Sequence, residues 1–293
     1  MTFNLTLILY SANHRISEEM SMTKFLGMHM KSIKFWLMGL SLILLAPFVF
    51  ATELQSLDAS IRPKAKILVV MTNHSKYPSR EDSTGLWFTE LTHFYEVADK
   101  AGYDMDFMSP QGGEVPLDER SLKWMYLDKA ADALLADKTF MARLSHTLKP
   151  SDVKAANYQA IYFTGGHGVM WDFPDNRELS SLGEQIYRQG GVVSAVCHGV
   201  AGLLELKDEQ GQPLIAKRKI TGFSNNEEAL SGMKKQVPFF LEDRLKAKGA
   251  NYKQGILPFT SYVVSDDRLI TGQNPQSPRE VGEAVVKRLQ QMQ

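Results

Sequence analysis

The chain of 293 residues contains one cysteine, Cys197. A single thiol excludes an intramolecular disulfide and any cysteine-rich zinc site. The seven histidines form neither a His-x-His nor a His-Glu-x-x-His pattern, so the helical zinc-hydrolase signature is absent. No GxGxxG or GxxxxGK[ST] stretch occurs, which removes the two common phosphate-cradling loops. Acidic and basic residues balance at 33 each, for a formal net charge of zero. That balance implies neither a nucleic-acid partner nor an anionic membrane surface. There is no internal repeat and no low-complexity linker. A hydrophobic content of 44% and a charged content of 23% are those of an ordinary soluble globular protein.

Long apolar runs are scarce, and the longest lies near the amino end. Lys31 and Lys34 precede the run Phe35–Phe50, and Val49-Phe50-Ala51 fits a small-residue cleavage site. The run is slightly long for a signal segment and short for a spanning helix. Pro47 also argues against a stable anchor. The expectation is a leader over 1–51 with a signal peptide cleaved after Ala51, an uncleaved anchor being the alternative. Export would then be to the periplasm, with no stable membrane association once the signal is removed. Residues 1–29 are an unusually long lead, and Met30 makes a better start. No cysteine follows the run, which excludes a lipoprotein anchor.

Residues 52–293 read as one α/β domain. Lys66–Met71, Asp104–Ser109, Ala160–Thr164 and Val192–Val196 are apolar runs of strand length. Helical patterns alternate with them: Gly85–Lys100 capped by Thr84, Asn176–Arg188, Pro238–Lys248, and a last helix opened by the capping box Ser277-Pro278-Arg279-Glu280. Residues 110–158 form an insertion with two short helical stretches. Pro213–Ile215 with Lys219–Thr221, and Tyr262–Val264 with Arg268–Thr271, read as extended pairs. The alternation predicts a doubly wound sandwich with a mainly parallel sheet and helices on both faces, and ligands at the carboxyl ends of its strands.

The stretch Val192 to Leu204 organises the domain. A buried strand leads through Cys197-His198-Gly199 into an apolar helical run. A nucleophile at such a sharp turn is lifted out of the sheet. The N-terminus of the following helix would favour a thiolate there. The competing reading is a small buried hydrophobe. Gly165-Gly166-His167-Gly168 follows a strand at the same sheet edge. Its backbone N–H groups suit an oxyanion hole, or the glycines serve a tight turn. Glu90 lies early in the first helix, either as a solvated dipole partner or, beside Trp87, Phe88 and Leu91, as a carboxyl that holds and exchanges a proton. His198 can take the thiol's proton, and Glu227 or Glu228 can orient it. Each of those glutamates taken alone reads as a surface charge. His74 in the first loop and His146 in the insertion can also reach the site.

Several motifs together carry a family resemblance. Thr84-Gly85-Leu86-Trp87-Phe88-Thr89-Glu90, Gly165-Gly166-His167-Gly168, Ala195-Val196-Cys197-His198-Gly199 and Thr221-Gly222-Phe223-Ser224 resemble the ThiJ/PfpI superfamily, which is related to class I glutamine amidotransferases. The likeness is to its chaperone-like branch, the glutathione-independent glyoxalases (glyoxalase III). Phe107-Met108-Ser109-Pro110 and the run Leu269 to Ser277 extend it in order over most of 64–293.

The resemblance implies a flavodoxin-like fold, a homodimer, no cofactor and a small aldehyde substrate. It assigns the nucleophile to Cys197, the acid beside it to Glu90, and the triad-like partners to His198 and an acid near Glu228. It assigns the oxyanion hole to the backbone of Gly166, beside Gly165, and of His198. The downstream His-x-Glu of amidotransferases is missing. Some branch members hold zinc through histidines and a glutamate in the insertion; here the insertion offers only His146, so no metal site is carried over. The implied chemistry is conversion of a 2-oxoaldehyde such as methylglyoxal to a hydroxy acid such as lactate. The alternatives are a cysteine peptidase or amidase, repair of glycation adducts, and a non-catalytic holdase or oxidation sensor. The branch enzymes are mostly cytosolic, whereas this leader predicts export.

Overall fold

The first strand, β1 (Lys66–Val70), is apolar throughout after Lys66 and buried, as a strand covered on both faces must be. The computed structural model describes residues 66–292. The expected signal segment, its cleavage site and Met30 lie outside the described residues. After β1 come α1 (Phe88–Lys100), β2 (Asp104–Met108), α2 (Lys129–Ala136), α3 (Lys138–Ser145), β3 (Tyr158–Phe163), α4 (Val169–Asp172), α5 (Arg177–Arg188) and β4 (Val192–Val196). The chain continues through β5 (Lys219–Ile220), α6 (Asn225–Leu230), α7 (Leu241–Ala247), β6 (Asn251–Tyr252), β7 (Val263–Asp266), β8 (Leu269–Gly272) and α8 (Pro278–Gln291).

The main sheet runs β2-β1-β3-β4-β8-β7, parallel except for the β7–β8 hairpin. Helices α1 and α8 pack on each other, and α8 also packs on β4 and β8, while α5 packs on β3 and β4. This is the mainly parallel, helix-covered sheet that the alternation predicts, and it places the ends of β3 and β4 side by side. Phe94 of α1 stacks on Tyr162 of β3 at 3.7 Å between ring centroids, with an interplanar angle of 8°. The Tyr162 hydroxyl donates to the Glu90 carbonyl at 2.7 Å. Together they fix the first turn of α1 against the centre of the sheet.

Several local expectations are corrected. Helix α1 starts at Phe88, and Thr84 does not cap it. The Thr84 hydroxyl instead donates to Asp118 at 3.3 Å, because Leu86 pairs through its backbone with Pro116 and Asp118 of the insertion. Cys197–Leu203 is a 3-10 helix, not a regular α-helix. Gly199 and Gly202 press it onto β3, where a Cβ would come within 2.3 Å of the Thr164 carbonyl and 2.6 Å of the Phe163 ring. Pro213–Ile215 and Lys219–Thr221 form no hairpin; β5 pairs in parallel with β6. Helix α7 starts at Leu241, after Phe240 as its N-cap. At α8, Pro278 occupies the first turn as expected, but the capping box does not form. The Ser277 hydroxyl is spent on Asn274 and the Tyr262 backbone instead.

Candidate active site

Cys197 follows β4 directly, with φ +56°. A left-handed backbone at a non-glycine residue costs on the order of 1–3 kcal/mol and persists only where the surroundings enforce it. Here Phe223 donates its N–H to the Cys197 carbonyl at 3.3 Å. The reversal turns two consecutive side chains toward each other. Cys197 Sγ lies 3.4 Å from His198 Nδ1. The other ring nitrogen, Nε2, is 2.7 Å from Glu228 Oε2.

Glu228 reaches His198 because Ser224 and Glu227 close a capping box that starts α6. The capping box puts Glu228 in the first turn of α6, where it faces inward. Both glutamates are buried, which corrects the surface reading of each. The choice left open by the sequence falls on Glu228. Glu227 accepts from Ser224, the Phe259 N–H and Asn274.

Glu90 stands on the other side of the thiol. It is fully buried, and Oε2 accepts the Gly165 N–H at 2.9 Å. Its Oε1 is buried without a hydrogen-bond partner. Burial pushes the Glu90 carboxyl up to about 8, so it holds its proton at neutral pH. Gly165 is small by necessity, since a Cβ there would lie 2.5 Å from Glu90 Oε2. The next residue, Gly166, has φ +94°, and a Cβ would meet the Gly85 carbonyl at 2.1 Å. No other residue fits that turn.

Two expectations about reactivity are corrected here. Burial pushes the Cys197 thiol well above its ordinary value, and Glu90 beside it raises it further once that carboxyl ionises. Desolvation outweighs what a short 3-10 helix offers an anion, so the resting sulfur is a thiol rather than a helix-stabilised thiolate. The Gly165 N–H is already taken by Glu90, so it is not available to an oxyanion. The N–H of His198 faces the Cys197 sulfur.

His74 and His146 stay apart from this group. His74 stacks on Trp171 at 4.6 Å and hydrogen-bonds the Lys76 carbonyl. His146 is tied to the Ala142 carbonyl at the end of α3. In their place stands His167, which entered the sequence analysis only as part of a glycine-rich turn. Its Nε2 lies 3.0 Å from Glu228 Oε1 and its Nδ1 lies 2.9 Å from Arg120 Nη2. Burial, and next the neighbouring His198, bring the His167 pKa down to about 4. Burial opposes the charge of Glu228, but His198 and His167 beside it hold that carboxyl well below the usual carboxylate range. A histidine wedged between glycines after a strand was the one available signal for His167. Arg120, in the insertion, had none.

His167, His198 and Glu228 also bring three potential metal-ligand atoms within 4.8 Å of one another. Arginine cannot accept a hydrogen bond, so His167 Nδ1 is the acceptor from Arg120 and Nε2 carries the proton. That proton points at Glu228. The three side chains therefore form a hydrogen-bonded group whose inward positions hold protons.

The chain is similar to known proteins over most of its length. The DJ-1/PfpI family profile matches residues 85–288. The Saccharomyces cerevisiae protein named glutathione-independent glyoxalase HSP31 is 34% identical over 222 residues, covering 73% of this chain and 93% of that one. The crystal structure of Francisella tularensis Rapid Encystment Protein 24 KDa superposes with a TM-score of 0.73 at 41% identity, covering 77% and 99% of the two chains. That of Candida albicans glyoxalase III superposes with a TM-score of 0.71 at 31% identity, covering 76% and 97%. The turn at Cys197, the Gly165-Gly166 edge and the relatives all lead to one assignment: the chain belongs to the DJ-1/PfpI family.

Proposed function

We propose that this protein is a glutathione-independent glyoxalase that converts methylglyoxal, or a similar small 2-oxoaldehyde, to a hydroxy acid through a hemithioacetal on Cys197. The observation that carries the reading is a lone thiol held between two proton carriers of different kinds. With its Nε2 against the Glu228 carboxylate, His198 presents Nδ1 3.4 Å from the sulfur, and Glu90 is a buried carboxyl that is still protonated near neutrality. A peptidase needs the first but has no use for the second. Cys197 is only 2% exposed, which suits a small aldehyde and not a peptide chain. Relatives that carry the glyoxalase name support the same chemistry.

In this mechanism His198 takes the thiol proton as sulfur adds to the aldehyde carbon. Backbone N–H groups of Gly166 and His198 hold the oxyanion, and Glu90 protonates it. Glu90, now a carboxylate, removes the hydrogen from C1, and His198 gives its proton to the C2 oxygen, forming an enediol. Glu90 returns a proton to C2 while His198 takes the one on the C1 oxygen, leaving a thioester. The Glu90 carboxylate then deprotonates a water that attacks the thioester carbonyl, and the leaving sulfur takes its proton back from His198, which releases lactic acid and restores thiol, imidazole and carboxyl together. The net change is addition of one water, with no cofactor. A homodimer and an exported location belong to the same proposal. Light scattering tests the first, and N-terminal sequencing of the protein from its host tests the second.

The deciding experiment incubates purified protein with methylglyoxal in the absence of glutathione, beside Cys197→Ala. The expected result is catalytic formation of lactate that disappears with the thiol. Loss of the dicarbonyl without lactate would reduce the chemistry to adduct formation and overturn the proposal.

A further inference from the structure

The proposed reaction uses Cys197, His198, Glu90 and two backbone amides, with Glu228 behind His198. It leaves His167 and Arg120 without a task, although both are built into the site. His167 is buried, and its ring centroid lies 4.1 Å from that of His198. Arg120 is held by a bidentate contact with the fully buried Asp118, through Nε at 2.9 Å and Nη2 at 2.7 Å. Tyr77 closes the far side: its hydroxyl donates to Asp118 at 2.9 Å and contacts Arg120.

We propose that His167 is a positioning residue, locked in one tautomer by Arg120, that keeps the Glu228 carboxylate ionised and aimed at His198. The proposal rests on the Cys197–His198 reading of the site and is independent of which aldehyde is the substrate. A guanidinium only donates, so the contact at 2.9 Å makes His167 Nδ1 an acceptor. A neutral imidazole then carries its proton on Nε2, and that proton goes to Glu228 Oε1 at 3.0 Å. His198 supplies its own Nε2 proton to the second oxygen at 2.7 Å. Every hydrogen bond in the series therefore runs toward Glu228, from Arg120 through His167 on one side and from Cys197 through His198 on the other. With both oxygens engaged, the carboxylate cannot rotate away, and His198 Nδ1 is held facing the sulfur at 3.4 Å. The titratable and charged groups around His167 are Arg120 with its partner Asp118, Tyr77, His198 and Glu228. The cation Arg120 at Nδ1 opposes a second proton on the ring. That keeps His167 a neutral donor through the working pH range.

Two near-isosteric variants separate positioning from mere packing. His167→Gln puts an amide NH₂ at the Nε2 position and keeps the donor to Glu228. His167→Asn reaches only the Nδ1 position and loses it. Cys197 is the only thiol, so its alkylation by iodoacetamide as a function of pH, with EDTA present, reads the thiolate without any substrate. Turnover of methylglyoxal is followed in parallel. For His167→Asn the alkylation midpoint should move to higher pH. Its kcat should fall at least about tenfold while KM changes less than about twofold. His167→Gln should restore both. Arg120→Met, which removes the tautomer lock and leaves the imidazole in place, should raise the midpoint as well, and it carries the test if His167→Asn does not fold. Wild-type midpoint and kcat in His167→Asn or Arg120→Met, or a His167→Gln that falls as far as His167→Asn, would overturn the proposal. A wild-type protein that makes no lactate would defeat the glyoxalase reading, while the alkylation series would still decide the role of His167.

Discussion

Glu227 and Glu228 are neighbours on α6, and their buried carboxylates face different networks. Glu227 joins Ser224 at the helix start, Asn274 beyond β8 and the backbone of Phe259. Glu228 accepts from His198 and His167 at the thiol. One holds the loops together, and the other serves the chemistry.

Substitution should separate the two. Glu228→Gln is expected to lower kcat by about 100-fold, the scale of losing support for a general base, with a smaller loss of stability than Glu227→Ala. Glu227→Ala leaves several buried donors unpaired and should cost about 3 kcal/mol of stability. Urea unfolding and initial rates of lactate formation check both. Equal loss of stability in the two variants would show that this division is wrong.

Glu90 should make stability depend on pH. Its carboxyl has an ordinary value of 4.5 and is raised by burial to about 8 in the fold. The native state therefore keeps a proton that the unfolded chain releases. The Glu90 contribution is fully present below pH 4.5 and is lost as pH rises to about 8. Glu90→Gln should remove that part of the slope and lower kcat by about 100-fold. The checks are urea midpoints of both proteins across this window, together with turnover. Parallel slopes would mean that Glu90 is ionised in the native state.

Gly166 is expected to tolerate no side chain. A Cβ would fall 2.1 Å from the Gly85 carbonyl, on a backbone with φ +94°. Gly166→Ala must move either β3's exit or the segment before α1, and should cost about 3 kcal/mol. Activity should fall with it, because Gly165 and Glu90 move too. Gly190, with the same φ but open space around it, is the control. Gly190→Ala should cost only the strain of its backbone, about 1 kcal/mol, with turnover unchanged.

Much of this was fixed locally and could be read from the sequence. Buried strands such as Val192–Val196 show as short apolar runs because both faces of a parallel sheet are covered. The turn at Cys197 is legible because a nucleophile lifted off a strand needs a small residue close behind it, here Gly199. Cys197, His198 and Glu90 could be singled out as candidates by residue type and place. The tertiary structure decided what depends on distant segments meeting. Whether Glu227 or Glu228 faces inward depends on a capping box and on loops near residues 259 and 274, and the two share one sequence signature. Thr84 and Ser277 look like caps, yet their hydroxyls are taken by Asp118 and Asn274, which lie far away or across a turn. The protonation of Cys197 and Glu90 follows from desolvation, and no sequence pattern encodes how much water a fold excludes. The partnership of Arg120 with His167 spans 47 positions and exists only because the insertion closes on the ends of β1 and β3.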